Sequence, residues 1–236
     1  MATKEELQEK AESCQTTEDY VAVAKEVVEA LSDKGWAGEL LDEAAEWAQT
    51  VDELVLLAQT ANEALGDKER AKQYLVQAKD FGTKAEEFVK LAGLASDIGE
   101  TETAKEVLGA AKDKCVRVQD FMGLAKSIKE VLGDEAMAKE AVDAAVEKAS
   151  SAADQVECAK GVIDVLGDKE KAGEIFNQAA EACKTGDDYA ALAKGAMEVL
   201  GDAALAGSFI QKGQENLESG KDLNALASAA AKDLND

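Results

Sequence analysis

The chain has 236 residues, with 49 acidic and 26 basic side chains and no histidine, for a formal net charge of −23. That balance disfavours nucleic acid and anionic membranes as partners, because both are held by clustered Lys and Arg. It favours solubility and basic partners. Alanine supplies much of the apolar share and proline is absent, so the composition suits close-packed, uninterrupted helices.

No apolar run approaches the roughly 20 residues needed to cross a bilayer. The opening Met1-Ala2-Thr3-Lys4-Glu5-Glu6 lacks the apolar stretch of a secretory signal. A cytoplasmic location is expected, although a mature form with its signal already removed would read the same way.

A turn signal recurs along the chain: Leu31-Ser32-Asp33, Leu65-Gly66-Asp67, Ile98-Gly99-Glu100, Leu132-Gly133-Asp134, Leu166-Gly167-Asp168, Leu200-Gly201-Asp202 and Leu234-Asn235-Asp236. The steps are 34, 33, 34, 34, 34 and 34 residues, and a fixed period of this size marks a repeat array. Numbering each unit so that its closing acid is position 34 gives one repeat domain over 1–236, with units of approximately 1–33, 34–67, 68–100, 101–134, 135–168, 169–202 and 203–236.

In chain order, residues from about Thr3 to Ser13 read as a second-type helix with no first helix before it. Lys4, Glu5, Glu6, Glu9 and Lys10 give it a polar outer side. Each following unit reads as two helices. Position 17 is Thr16, Thr50, Ser151, Thr185 or Ser219 in five units, and an acid follows three residues later: Asp19, Glu53, Asp154, Asp188, Asp222. A hydroxyl and an acid at that spacing cap a helix N-terminus reciprocally. Lys84/Glu87 and Arg117/Asp120 keep only the acid. The first helix therefore starts near position 18. It ends at the Gly of Leu-Gly-Asp, which tolerates a left-handed backbone, and the Asp caps the second helix. So short a turn forces an antiparallel hairpin. The chain closes with an unpaired first-type helix from about Gly220 to Leu234.

The expected core is equally regular. Position 25 is Ala24, Ala58, Ala92, Ala125, Ala159, Ala193 and Ala227, and position 24 is Val or Leu except at Cys158. On the second helix, position 4 is Ala37, Ala71, Ala104, Ala138, Ala172 and Ala206, and position 11 is Ala44, Ala78, Ala111, Ala145, Ala179 and then Gly213. Spacings of three, four and seven place one apolar stripe on each helix.

The runs Leu132-Gly133-Asp134-x-x-x-Ala138-x-x-x-Val142-x-x-Ala145 and Leu166-Gly167-Asp168-x-x-x-Ala172-x-x-x-Phe176-x-x-Ala179 resemble the tetratricopeptide signature across its central turn. The resemblance covers nearly the whole chain, but the family's early tryptophan and closing proline are missing. It implies an all-α fold, a right-handed αα-solenoid of about seven 34-residue helix-turn-helix units, whose first helices line a concave groove for proteins or peptides.

Catalytic chemistry finds little footing. With no histidine, the commonest acid–base residue and zinc ligand is gone. Gly213 to Lys221 has the wrong spacing for a phosphate loop. Calcium-loop patterns are missing too. The residues point to a protein that is not an enzyme, with no catalytic residues, no metal site and no cofactor. Cys14, Cys115 and Cys183 share position 15 in non-adjacent units, and Cys158 takes a core leucine site. All four read as small hydrophobes in a reducing compartment rather than disulfide partners. Trp36 and Trp47 lie on one helix, eleven residues apart. The favoured reading is local thickening of the core; the other is an exposed anchor for a partner.

One position stands out. Position 30 is Glu29, Glu63, Asp97, Glu130, Asp164 and Glu198, then Lys232. Six carboxylates recur near the C-terminus of the first helix, where the helix dipole disfavours anions by about 0.3–1 kcal/mol. Lys25, Lys126, Lys160 and Lys194 stand four residues earlier, at the spacing of an i,i+4 pair, in four units. Gln59 and Gly93 replace the lysine where Glu63 and Asp97 keep the acid. By the family resemblance, position 30 lines the groove. The two readings are local pairing and a ladder that binds a basic protein or peptide. The alternative function is a structural spacer that self-associates when its two unpaired terminal helices meet end to end.

Overall fold

The computed structural model describes residues 2–233. The last turn signal, Leu234-Asn235-Asp236, and the side chain of Lys232 lie outside what it describes. Among the described residues all regular structure is helical. The helices are α1 (Lys4–Glu12), α2 (Thr17–Leu31), α3 (Lys34–Trp47), α4 (Val51–Thr60), α5 (Lys68–Lys79), α6 (Ala85–Asp97), α7 (Thr101–Ala111), α8 (Val118–Leu132), α9 (Glu135–Lys148), α10 (Ala152–Leu166), α11 (Lys169–Ala182), α12 (Gly186–Gly195), α13 (Ala203–Asn216) and α14 (Gly220–Asp233). α4 and α12 each continue through a π-helical turn, Ala61–Leu65 and Ala196–Leu200.

The chain is an all-α repeat protein, a solenoid of successive antiparallel pairs, and its contacts divide it into two compact units, Met1–Lys114 and Cys115–Asp236. In the first unit, α2/α3, α4/α5 and α6/α7 form hairpins; α1 packs on α2, and the first helices α2, α4 and α6 pack on one another in sequence. In the second unit, α8/α9, α10/α11 and α12/α13 form hairpins; α8, α10, α12 and α14 stack in the same way.

The local chemistry explains the helix limits. Thr16, Thr50, Ser151 and Thr185 each accept a bond from the N–H three residues on, and the acid at that position accepts from the cap's own N–H. At α6 and α8, Glu87 accepts from the Lys84 N–H at 2.9 Å and Asp120 from the Arg117 N–H at 2.9 Å, so the acid suffices without a hydroxyl. Gly66, Gly133, Gly167 and Gly201 end their helices left-handed, with φ between 64° and 70°. Ser32 does the same at φ 56°, the one non-glycine with positive φ among the described residues. The missing residue of the third unit falls in the last turn of α6. That helix has 13 residues where α2, α8 and α10 have 15. The chain leaves it through Ile98 and Gly99, with the Glu100 N–H bonded to the Ala95 carbonyl at 2.8 Å.

The alanine stripes are buried as expected, with one exception. Ala227, the last position-25 alanine, is exposed on α14, which packs against α12 and α13. Gly213, which stands where the other second helices have alanine, is explained by crowding. A Cβ there would lie 2.7 Å from Leu226 Cδ2 and 3.0 Å from Tyr189 Cγ, so the larger neighbours fill the alanine's place.

Candidate functional site

All six position-30 carboxylates are exposed: Glu29 on α2, Glu63 in the π turn after α4, Asp97 on α6, Glu130 on α8, Asp164 on α10 and Glu198 in the π turn after α12. First helices pack on first helices within each unit, so Glu29, Glu63 and Asp97 share one register along one row, and Glu130, Asp164 and Glu198 share it along another.

Local pairing accounts for only part of them. Lys126 reaches Glu130 and Lys194 reaches Glu198, both at 3.8 Å, a long contact between exposed groups. Such i,i+4 pairs contribute about 0.2–0.5 kcal/mol. Glu29, Glu63, Asp97 and Asp164 have no ion-pair partner among the described residues. Two lysines do offset the helix ends nearby. Lys34 donates to the Leu65 carbonyl at 2.8 Å, and Lys129 donates to the Val165 carbonyl, each reaching over from the preceding hairpin. A cation at a helix C-terminus counters the dipole there. Glu63 and Asp164 therefore sit in a less hostile field than sequence spacing implied.

No family model matches the chain, and no curated protein matches it. Among solved structures it is similar to a chain from the computational design of self-assembling cyclic protein homooligomers, at 15% identity and TM-score 0.14 over 98% of this chain and 78% of that one. It is also similar to a circular tandem repeat protein with novel repeat topology and enhanced subunit contact surfaces, at 19% identity and TM-score 0.17 over 93% of this chain and 48% of that one. The repeat architecture therefore stands on this chain's own helices and their contacts.

The second helices treat their charges differently. Arg70 Nε on α5 lies 3.2 Å from Asp42 on α3, whose Oδ1 also accepts from the Tyr74 hydroxyl at 2.7 Å. The guanidinium lies over Gly38, where a Cβ would meet it at 1.6 Å. Burial, followed by the bond to Asp42, pushes the Tyr74 phenol up. Lys79–Glu106, Asp143–Lys171 and Glu181–Lys212 likewise join successive second helices. Sequence reading missed these pairs because each partner is set by the stacking of hairpins and not by spacing within a helix.

The four cysteines are free thiols, with Cys115 and Cys158 buried and Cys14 and Cys183 partly so. Burial pushes Cys115 and Cys183 up to about 11 and Cys158 up to about 12. All three are thus protonated and unreactive at neutral pH. No helix among the described residues is long and apolar enough to cross a membrane.

The core-thickening reading of the tryptophans needs correction. Trp36 is half-buried, with the Lys4 ammonium 5.9 Å over its ring. Trp47 is 72% exposed. It is the last residue of α3, where the hairpin gives way to the connecting loop, so three turns of correct helical phase still carry it past the packed layer. It borders a surface pocket of about 460 Å³ together with Cys14, Thr17, Glu18, Tyr20 and Glu53.

Proposed function

We propose that this chain is a non-catalytic binding scaffold of the cytoplasm that holds a basic protein or peptide through the position-30 carboxylates of its first helices. The tetratricopeptide-like spacing supports the use of first helices for binding. The observation that carries the proposal is the exposure of all six acids, four of them without an ion-pair partner among the described residues. A charge left unpaired on a helix end earns no stability from its own fold, so a cationic partner is the natural complement.

The test is binding of a labelled oligolysine peptide by fluorescence anisotropy over a salt series. Affinity falls as salt rises, because exposed pairs are screened over about 8 Å at physiological ionic strength. The double reversal Glu63→Lys/Glu130→Lys weakens binding more than Glu39→Lys/Glu140→Lys, which changes the net charge equally on the second helices. Equal weakening by the two variants would reduce the ladder to a contribution to bulk charge.

Self-association by end-to-end helix pairing is the second reading. The exposed face of α14 at Ala227 favours it. Light scattering over a concentration series decides it: a mass that stays at one chain removes this reading.

A further inference from the structure

At two places, one within each unit, successive hairpins meet at a notch where the same two positions face each other. Position 21 of one first helix meets position 14 of the next second helix. In the first unit, position 21 is Phe88 and position 14 is Lys114, and the Lys114 ammonium lies 5.9 Å over the Phe88 ring. In the second unit, the pair is Tyr189 and Asn216, whose amide donates to the Tyr189 hydroxyl at 3.1 Å. In these two notches the chain supplies its own polar or cationic group to the aromatic ring.

The notch between α2 and α3–α4 differs in that position 14 supplies no polar group to the ring; the Tyr20 hydroxyl donates to Glu43, one turn earlier, instead. Position 21 is Tyr20, but position 14 is Trp47, turned outward and 72% exposed. The space left open is the pocket of about 460 Å³. None of its lining residues is cationic, while Glu18 and Glu53 both border it. Their roles differ. Glu53 Oε2 is engaged by the N–H groups of Gln49 and Thr50 and by the Thr50 hydroxyl, so it lends charge but little bonding capacity. Glu18 is exposed and has no hydrogen-bond or ion-pair partner among the described residues. Further acids deepen the field: Glu43 accepts from the Tyr20 hydroxyl at 3.0 Å. Burial, and then the charges of Asp19 and Glu43, raise the Cys14 thiol.

From this we infer that the Trp47 notch is a receptor for an arginine side chain of a partner polypeptide. An exposed indole face and a free carboxylate at the mouth of one negatively charged pocket match a planar guanidinium, which stacks on the ring while donating to Glu18. The partner's cation stacks on the position-14 indole, whereas in the Phe88 notch position 14 itself supplies the cation. The inference deepens the scaffold reading by naming a side chain and a place, but it uses a different edge of the first unit from the carboxylate rows.

The probe is Nα-acetyl-arginine-N-methylamide, with the citrulline analogue as its neutral isostere, added to the full chain carrying Trp36→Phe so that Trp47 is the sole tryptophan. Trp47 emission changes saturably with the arginine probe and not with the citrulline one. Backbone amide shifts at Gln15, Thr17 and Glu18 follow the same isotherm. Glu18→Gln weakens the interaction roughly twofold to fivefold, the range of an exposed ion pair. Trp47→Leu, read by the amide shifts, keeps apolar bulk at an exposed site and weakens it about twofold to thirtyfold. Glu63→Lys/Glu130→Lys leaves probe binding unchanged, so loss of the carboxylate-row reading does not touch this one. Equal response to both probes, no response to either, or a dimer that Trp47→Leu dissolves would each overturn the assignment.

Discussion

The first and second helices carry acids in comparable abundance and use them differently. On the second helices Asp42, Glu106, Asp143 and Glu181 each meet a cation from a neighbouring second helix, so their charge is spent on stacking hairpins. On the first helices the position-30 acids project to solvent, and the two that have a partner find it four residues back on their own helix. The difference teaches that a net charge of −23 is not one property. Part of it ties repeats together, part caps helices, and the remainder is available to a partner.

Acid is the strongest way to break that division. The cap acids Glu6, Asp19, Glu53, Glu87 and Asp120 are all held below the ordinary carboxylate range, by bonds from Thr3, Gln15, Thr50, Thr83 and Arg117 respectively, with Asp120 down to about 2. Asp154 and Asp188 are lowered too: burial raises them, but the hydrogen bonds at their caps outweigh it. A depressed carboxylate stabilises the fold fully above its unfolded value, near 4, and that contribution is lost as pH falls through the folded value. Urea midpoints measured at high salt, where repulsion among exposed charges is screened, should drop steadily between about pH 4 and pH 2. A flat profile there would mean that the caps contribute nothing.

Asp42→Ala is the next largest change. It leaves the buried Tyr74 hydroxyl without its acceptor and Arg70 with only the longer contact to Asp67 at 3.7 Å, at a cost of about 1–3 kcal/mol by urea unfolding. Tyr74→Phe in the same background should recover part of that loss, because the stranded donor is then gone. Ser32→Gly acts in the opposite direction. It relieves a left-handed serine and should stabilise by about 1 kcal/mol, seen as a higher thermal midpoint. The smallest effect belongs to the rows themselves. Glu29→Gln and Asp97→Asn should leave stability within about 0.5 kcal/mol of the parent. A loss as large as that of Asp42→Ala would move those acids into the structural class and remove them from the binding proposal.

Much of the fold was legible because the repeats state nearly the same local chemistry unit after unit. Thr50 followed by Glu53, or Gly133 before Asp134, fixes a helix end from groups within a few residues, and no distant contact is needed to see it. The alanine stripes were legible for the same reason, since helical phase depends only on spacing. Legibility ended where phase stopped being enough. Trp47 has the phase of a core residue and the surroundings of a surface one, because it stands at the end of its helix. Ala227 repeats the core pattern on α14 yet stands exposed beside the buried Leu226.

The sequence by itself therefore determined the helices, their caps, their pairing into hairpins and the register of the position-30 acids, all consequences of backbone geometry acting over short range. Only the tertiary structure decided which charges are paired. Asp42 meets Arg70, and Lys114 meets Phe88, across gaps of many residues that close when one hairpin stacks on the next. It also decided that the notch at Tyr20 and Trp47 stays open, because the direction of a side chain at a helix end is set by what packs beside it and not by its place in the repeat.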